Sequence, residues 1–198
     1  MAGSLNFNFI LYTAFRLAPF ILVSFFSLSS ILNQDLKGII YLAGLLFATF
    51  FAIMIGNMNY FKKPEAIDPD NELICNVLTL TDSGRLSNLP LSMVVFAYTF
   101  FYLVDIIAHF KLADQNIPTL IIFPLLIIGE FIWNRMYKCS NTAGIIAAFG
   151  VGSLIGWAWS AIIRSTGVVQ LQYFNGISNA AVCSRPSKQK FKCTTSNK

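Results

Sequence analysis

Polar residues cut this chain into five apolar stretches, each close to the roughly 20 residues that a helix needs to cross the hydrocarbon core of a bilayer. The first runs from about Leu11 to Leu32, with Arg16 near enough to its start to snorkel toward the headgroups, and ends at Asn33-Gln34-Asp35. The second runs from about Gly38 to Phe61 and stops at Lys62-Lys63-Pro64, where two charges and a proline oppose continuation. After a polar loop, residues 62–89, the third covers about Pro90 to Phe110, with proline where a first helical turn tolerates it. The turn Lys111–Gln115 leads into the fourth, about Ile117 to Tyr137, and a short basic loop into the fifth, about Ala143 to Ile163. The pattern predicts an all-α protein: a bundle of about five transmembrane helices over residues 1–164, followed by a basic polar tail over 165–198.

Five crossings place the termini on opposite faces. Face A receives the amino terminus, the 62–89 loop and the turn after the fourth span; face B receives the Asp35 turn, the Lys111 turn and the tail. Close to the membrane, face A carries Lys62, Lys63, Arg85, Arg135 and Lys138, against Lys37, Lys111 and Arg164 on face B. The positive-inside rule therefore predicts a cytoplasmic face A, although the basic tail weighs the other way.

Composition agrees with the pattern. The chain is 56% hydrophobic and 12% charged, whereas a soluble domain averages about 45–50% and about 25%. Its net charge of +5 reflects a tail holding Arg185, Lys188, Lys190, Lys192 and Lys198, suited to anionic lipid or an acidic protein surface, or simply solvated. Arg16 interrupts the first apolar run, so that span is expected to stay rather than be removed as a signal. Phosphate-binding loops, nucleophile elbows and nucleotide fingerprints are missing, so no cofactor and no specific nucleic acid is expected.

Within the spans, Asp105 and His109 stand four apart on one helical face and could bond to each other, while Glu130 could be answered by Arg16 or Arg135. Asp105 and Glu130 differ in depth by on the order of 10 Å, too far apart for one acid/base pair or metal site. The only histidine is inside the membrane, which argues against zinc. With face A cytoplasmic, Cys75 and Cys139 would stay reduced, and Cys183 and Cys193 could close a disulfide in the tail. Gly144, Ala148, Gly152 and Gly156 recur every four residues and let a neighbouring helix approach, inside this bundle in preference to a dimer. Trp157 and Trp159 are placed as interfacial aromatics toward face B.

Three segments, in this order, resemble the signatures of the type 2 phosphatidic acid phosphatases: Gly56-Asn57-Met58-Asn59-Tyr60-Phe61-Lys62-Lys63-Pro64, then Gly84-Arg85-Leu86-Ser87-Asn88-Leu89-Pro90-Leu91-Ser92-Met93, then Asn134-Arg135-Met136-Tyr137-Lys138-Cys139-Ser140-Asn141-Thr142. All three fall on face A in the topology drawn from hydrophobicity. The resemblance implies a membrane helix bundle over about residues 38–160 with a phosphate-handling centre on that face. It also implies a lost reaction, because Met93 stands where that family has its leaving-group histidine and Ser140 or Asn141 stands where it has its nucleophile. Gly56 replaces the signature lysine, Lys63-Pro64 replaces Arg-Pro, and Gly144 or Ile145 takes the orienting position.

The expected function is accordingly that of a non-catalytic structural or scaffolding membrane protein. Compact, divergent relatives of this kind are similar in style to proteins of large icosahedral DNA viruses with an internal membrane, whose capsid proteins the 62–89 loop or the basic tail would contact. Two alternatives remain open. Lys62, Lys63, Arg85, Arg135 and Lys138 could hold a lipid phosphate, with or without residual hydrolysis; or Asp105, His109 and Glu130 could serve a small channel or transporter.

Overall fold

The computed structural model describes residues 7–58, 87–168 and 171–172. They form five α-helices and one 3-10 turn, Ala113–Gln115, with no strand among the described residues. We label the helices α1 (Phe7–Leu32), α2 (Lys37–Gly56), α3 (Leu91–His109), α4 (Ile117–Met136) and α5 (Thr142–Ser165). The last four are long and apolar enough to cross a membrane; the described apolar part of α1, Leu17–Leu32, is shorter. This is a helical membrane bundle.

Burial sorts the helices. α3 is enclosed on nearly every side, with Met93, Val94, Phe96, Ala97, Tyr98, Thr99, Tyr102, Leu103, Ile106 and Ile107 all buried. A helix apolar all round belongs at the centre of a bundle. The others turn large apolar side chains outward: Phe20 and Phe25 from α1, Leu46 and Phe50 from α2, Ile121 and Leu125 from α4, Leu154 and Ile162 from α5. Water would penalise a surface of that extent, whereas lipid tails accept it.

α5 makes the most extensive contact with α3. Its buried residues Gly144, Ala148, Gly152, Gly156 and Ser160 follow the four-residue spacing seen in the sequence. A Cβ on Gly152 would lie 2.7 Å from the Val94 carbonyl oxygen, so α3 packs against the bare backbone of α5. The small-residue stripe thus serves packing inside the bundle. Between α2 and α3, Tyr41 and Thr99 share a hydroxyl hydrogen bond of 2.7 Å, and the Tyr98 hydroxyl donates to the Tyr41 carbonyl at 3.0 Å. Trp159 does not act as an interfacial anchor alone: its indole N–H donates to the Ile40 carbonyl of α2 at 3.0 Å.

The three short connections share one device. Gln34, Lys111 and Lys138 adopt positive φ of 53°, 56° and 51°. The next residue then reaches back five positions: Asp35, Leu112 and Cys139 donate their backbone N–H to the carbonyls of Ser30, Ile107 and Asn134 at 3.1, 3.0 and 3.0 Å. These are Schellman-type C-caps, in which glycine is usual because an L side chain is disfavoured in the left-handed region. Lys138→Gly is therefore expected to stabilise the bundle by about 0.5–1 kcal/mol after allowing for the freer unfolded chain, read as a higher unfolding midpoint in detergent.

Helix limits lie within two residues of the sequence expectation except at the start of the first span, where α1 begins at Phe7 rather than about Leu11, and at the end of the second. α2 ends at Gly56, not near Phe61. There the Asn88 side-chain amide donates to the Gly56 carbonyl at 2.9 Å, occupying a terminal acceptor that a continuing helix would use itself.

Candidate functional site

The described parts of the three signature-like segments meet at the face A end. Asn88, just before α3, bonds to Gly56 at the end of α2. Ser140, in the α4–α5 turn, donates to the Asn88 carbonyl at 3.5 Å. The Ser87 hydroxyl donates to the Ala52 carbonyl at 3.4 Å and accepts the Leu89 backbone N–H at 3.1 Å. Pro90 and Arg135 therefore lie toward one end of the bundle. Lys62, Lys63 and Arg85, the other expected phosphate contacts, lie outside the described residues, as do Cys75, Cys183 and Cys193.

Arg135 and Lys138 are both exposed at this end. Arg135 donates from Nη1 to the Thr142 hydroxyl at 2.7 Å, joining the last turn of α4 to the first turn of α5. Arg135 is thus not the partner of Glu130, and the Arg16 side chain lies outside the described residues. Glu130 is 1% exposed. Its Oε1 accepts from the Ser92 hydroxyl of α3 and from the Asn134 amide, the latter at 2.8 Å; the same amide nitrogen also donates to the Glu130 carbonyl at 2.8 Å. A carboxylate buried in this way depends on such donors, because an unpaired one in lipid costs several kcal/mol. Asn134, four residues after Glu130, was within reach of a spacing argument; Ser92 was not, since it belongs to another helix.

At the opposite end, Asp105 corrects a second expectation. Its Oδ2 accepts from Ser160 at 2.8 Å and from Arg164 Nη1 at 2.7 Å, so its partners are on α5 rather than at His109. The Asp105 side chain is 8% exposed and that of Arg164 30%. His109, the last residue of α3, is exposed and sets its ring edge-on to Phe110 with centroids 5.0 Å apart. Asp105 and Glu130 consequently sit in separate interfaces, α3–α5 and α3–α4.

Met93, at the position of the resembled family's histidine, is 1% exposed and packs in the core, where its thioether fills space and can take no proton. Cys139 is 5% exposed and disulfide-bonded, which corrects the expectation of a reduced thiol there. Among the described residues no group of three or more His, Cys, Asp or Glu side chains could hold a metal ion.

The chain matches no protein-family model, no curated protein and no solved structure, so its likeness to the type 2 phosphatidic acid phosphatases stands on the three sequence segments alone.

Proposed function

We propose that this is a non-catalytic integral membrane protein whose bundle acts as a structural element, anchored in lipid and contacting other structural proteins through the 62–89 loop or the basic tail. One observation carries the reading: Asp105 and Glu130, the carboxylates inside the spans, each bond to a neighbouring helix. Polar groups used in this way clamp a bundle together. A channel would need them along a shared path, and they occupy different interfaces. The finer form of the proposal places the protein in the internal membrane of a large icosahedral DNA virus, beneath capsid protein, and its support is the small, apolar, divergent style of the sequence.

The alternative, a lipid-phosphate-binding protein or residual lipid phosphatase, draws on exposed Arg135 and Lys138 beside Ser140 and Thr142. Purified protein in mixed micelles is expected to release no phosphate from phosphatidic acid or a polyprenyl pyrophosphate. Release that disappears on Arg135→Ala would replace the structural reading with an enzymatic one. For the finer proposal, recovery in purified virions at stoichiometric amounts is the expected result, and recovery from cellular membranes alone would remove it.

A further inference from the structure

The clamp between α3 and α4 leaves one oxygen over. Glu130 Oε1 takes both side-chain hydrogen bonds, from Ser92 and from Asn134, while Oε2 is buried and accepts none. Glu130 and Asn134 are 1% and 2% exposed, so neither bulk water nor lipid reaches the group. It also lacks a counter-charge. Among the described residues, each cationic side chain that the structure places is engaged elsewhere or turned outward: Lys37 pairs with Asp35, Arg164 with Asp105, Arg135 bonds to Thr142, and Lys111 and Lys138 are exposed. A carboxylate enclosed without a cation is costly, and an oxygen enclosed without a donor adds to that cost.

Three oxygen-bearing side chains from two helices converge at this point. Besides the carboxylate, the Ser92 hydroxyl has lone pairs as well as its proton and the Asn134 amide has a carbonyl oxygen, so each can turn an oxygen toward a cation. Carboxylate, hydroxyl and amide oxygens suit hard ions. One carboxylate matches one positive charge, whereas calcium gathers about 6–8 oxygens, several of them from carboxylates. Close packing around Oε2 selects a small ion over a large one. The geometry points to a sodium site formed by Glu130, Ser92 and Asn134, in which the ion meets Oε2 and ties α3 to α4. Entry is short. Ser92 is the second residue of α3, and Glu130 lies six positions before Met136, the last residue of α4; at about 1.5 Å per residue the site is about 9 Å from the face A end. The ion is held and not passed across, because Asp105 sits in a different interface.

The test uses the purified full chain in detergent at fixed pH and ionic strength, with sodium chloride replacing choline chloride, and equilibrium dialysis against radioactive sodium. A ligand that binds only the folded protein raises stability as its concentration rises. The unfolding midpoint is expected to climb with sodium and to climb less with potassium, and about one sodium ion should be retained per chain. Ser92→Ala should weaken binding by about tenfold or more. Glu130→Gln, which keeps the shape and removes the charge, should abolish it, while Gly150→Ala, on the open side of α5, should respond as the unaltered protein does. If Glu130→Gln does not fold, the sodium titration of Ser92→Ala decides. A midpoint indifferent to the exchange of choline for sodium, an equal rise with potassium, or a sodium response that Ser92→Ala leaves intact would each overturn the inference. None of these outcomes touches the phosphate-release assay, which separately decides whether the protein is catalytic.

Discussion

Gly156→Leu is expected to prevent α3 and α5 from packing and to leave the protein unable to form its bundle. At this position even a Cβ would run into the Tyr98 carbonyl oxygen and lie 3.0 Å from the Tyr98 Cα, which is backbone of the central helix and cannot swing aside. Overpacking a tight site by a methylene or two costs about 1–3 kcal/mol, and a leucine adds more volume than that range covers. Gly156→Ala should fall near that range; Gly156→Leu should yield aggregated or protease-sensitive protein on extraction. Gly150 provides the control on the same helix. A Cβ there meets nothing within 4 Å. Gly150→Ala should therefore be neutral or raise stability by up to about 1 kcal/mol through helix propensity. If both alanine variants unfold alike, the close α3–α5 approach is wrong.

The second large effect is expected at the other end of the same interface. Asp105→Leu removes the acceptor for both Ser160 and Arg164, leaving a guanidinium that is 30% exposed without its carboxylate. Breaking a buried pair costs about 3–5 kcal/mol, and the partial exposure of Arg164, which lets it turn toward the headgroups, lowers the expected loss to about 2–3 kcal/mol. Asp105→Leu combined with Arg164→Leu should recover part of that loss, because the stranded charge is gone. Unfolding midpoints in detergent for the two single variants and the double variant check this. A double variant no more stable than Asp105→Leu would show that Arg164 was never held by the carboxylate.

These two sites show where the sequence was legible. Spans could be placed to within a few residues because the hydrocarbon core imposes a length and a composition on any helix that crosses it. The packing stripe of α5 was legible because four-residue spacing of small residues has one geometric meaning. Extending it by two further steps leads from Gly156 to Ser160 and Arg164, the two residues that meet Asp105. Choosing His109 as the partner followed from considering only the helix that Asp105 belongs to. Partners across an interface depend on how far each helix is rotated and raised against its neighbour, and neither quantity is written in the spacing of one segment. The same limit hid Ser92 from Glu130. The early end of α2 depended on Asn88, a residue in a loop whose return to Gly56 no periodicity announces. The disulfide of Cys139 was missed because pairing depends on which cysteines the fold brings together, and their spacing along the chain does not state that.

On the functional side, the juxtaposition of Gly56, Asn88 and Ser140 was foreseen from topology, since spans that alternate direction must bring those segments to one face. What those segments do was not legible to the same degree. Met93 carries no titratable group, and the structural role that we propose has no residue signature of its own.

The claim on which the account rests is that polar side chains inside this bundle hold helices to one another. It is tested most directly by the coupling energy between Ser92 and Glu130, measured as a double-mutant cycle of Ser92→Ala and Glu130→Leu on unfolding in detergent or bilayer. Interhelical hydrogen bonds in membranes average about 0.6 kcal/mol and reach about 1.7 kcal/mol. The account predicts a favourable coupling of about 0.5–1.7 kcal/mol for this pair. Strictly additive effects, with no coupling between the two positions, would contradict it.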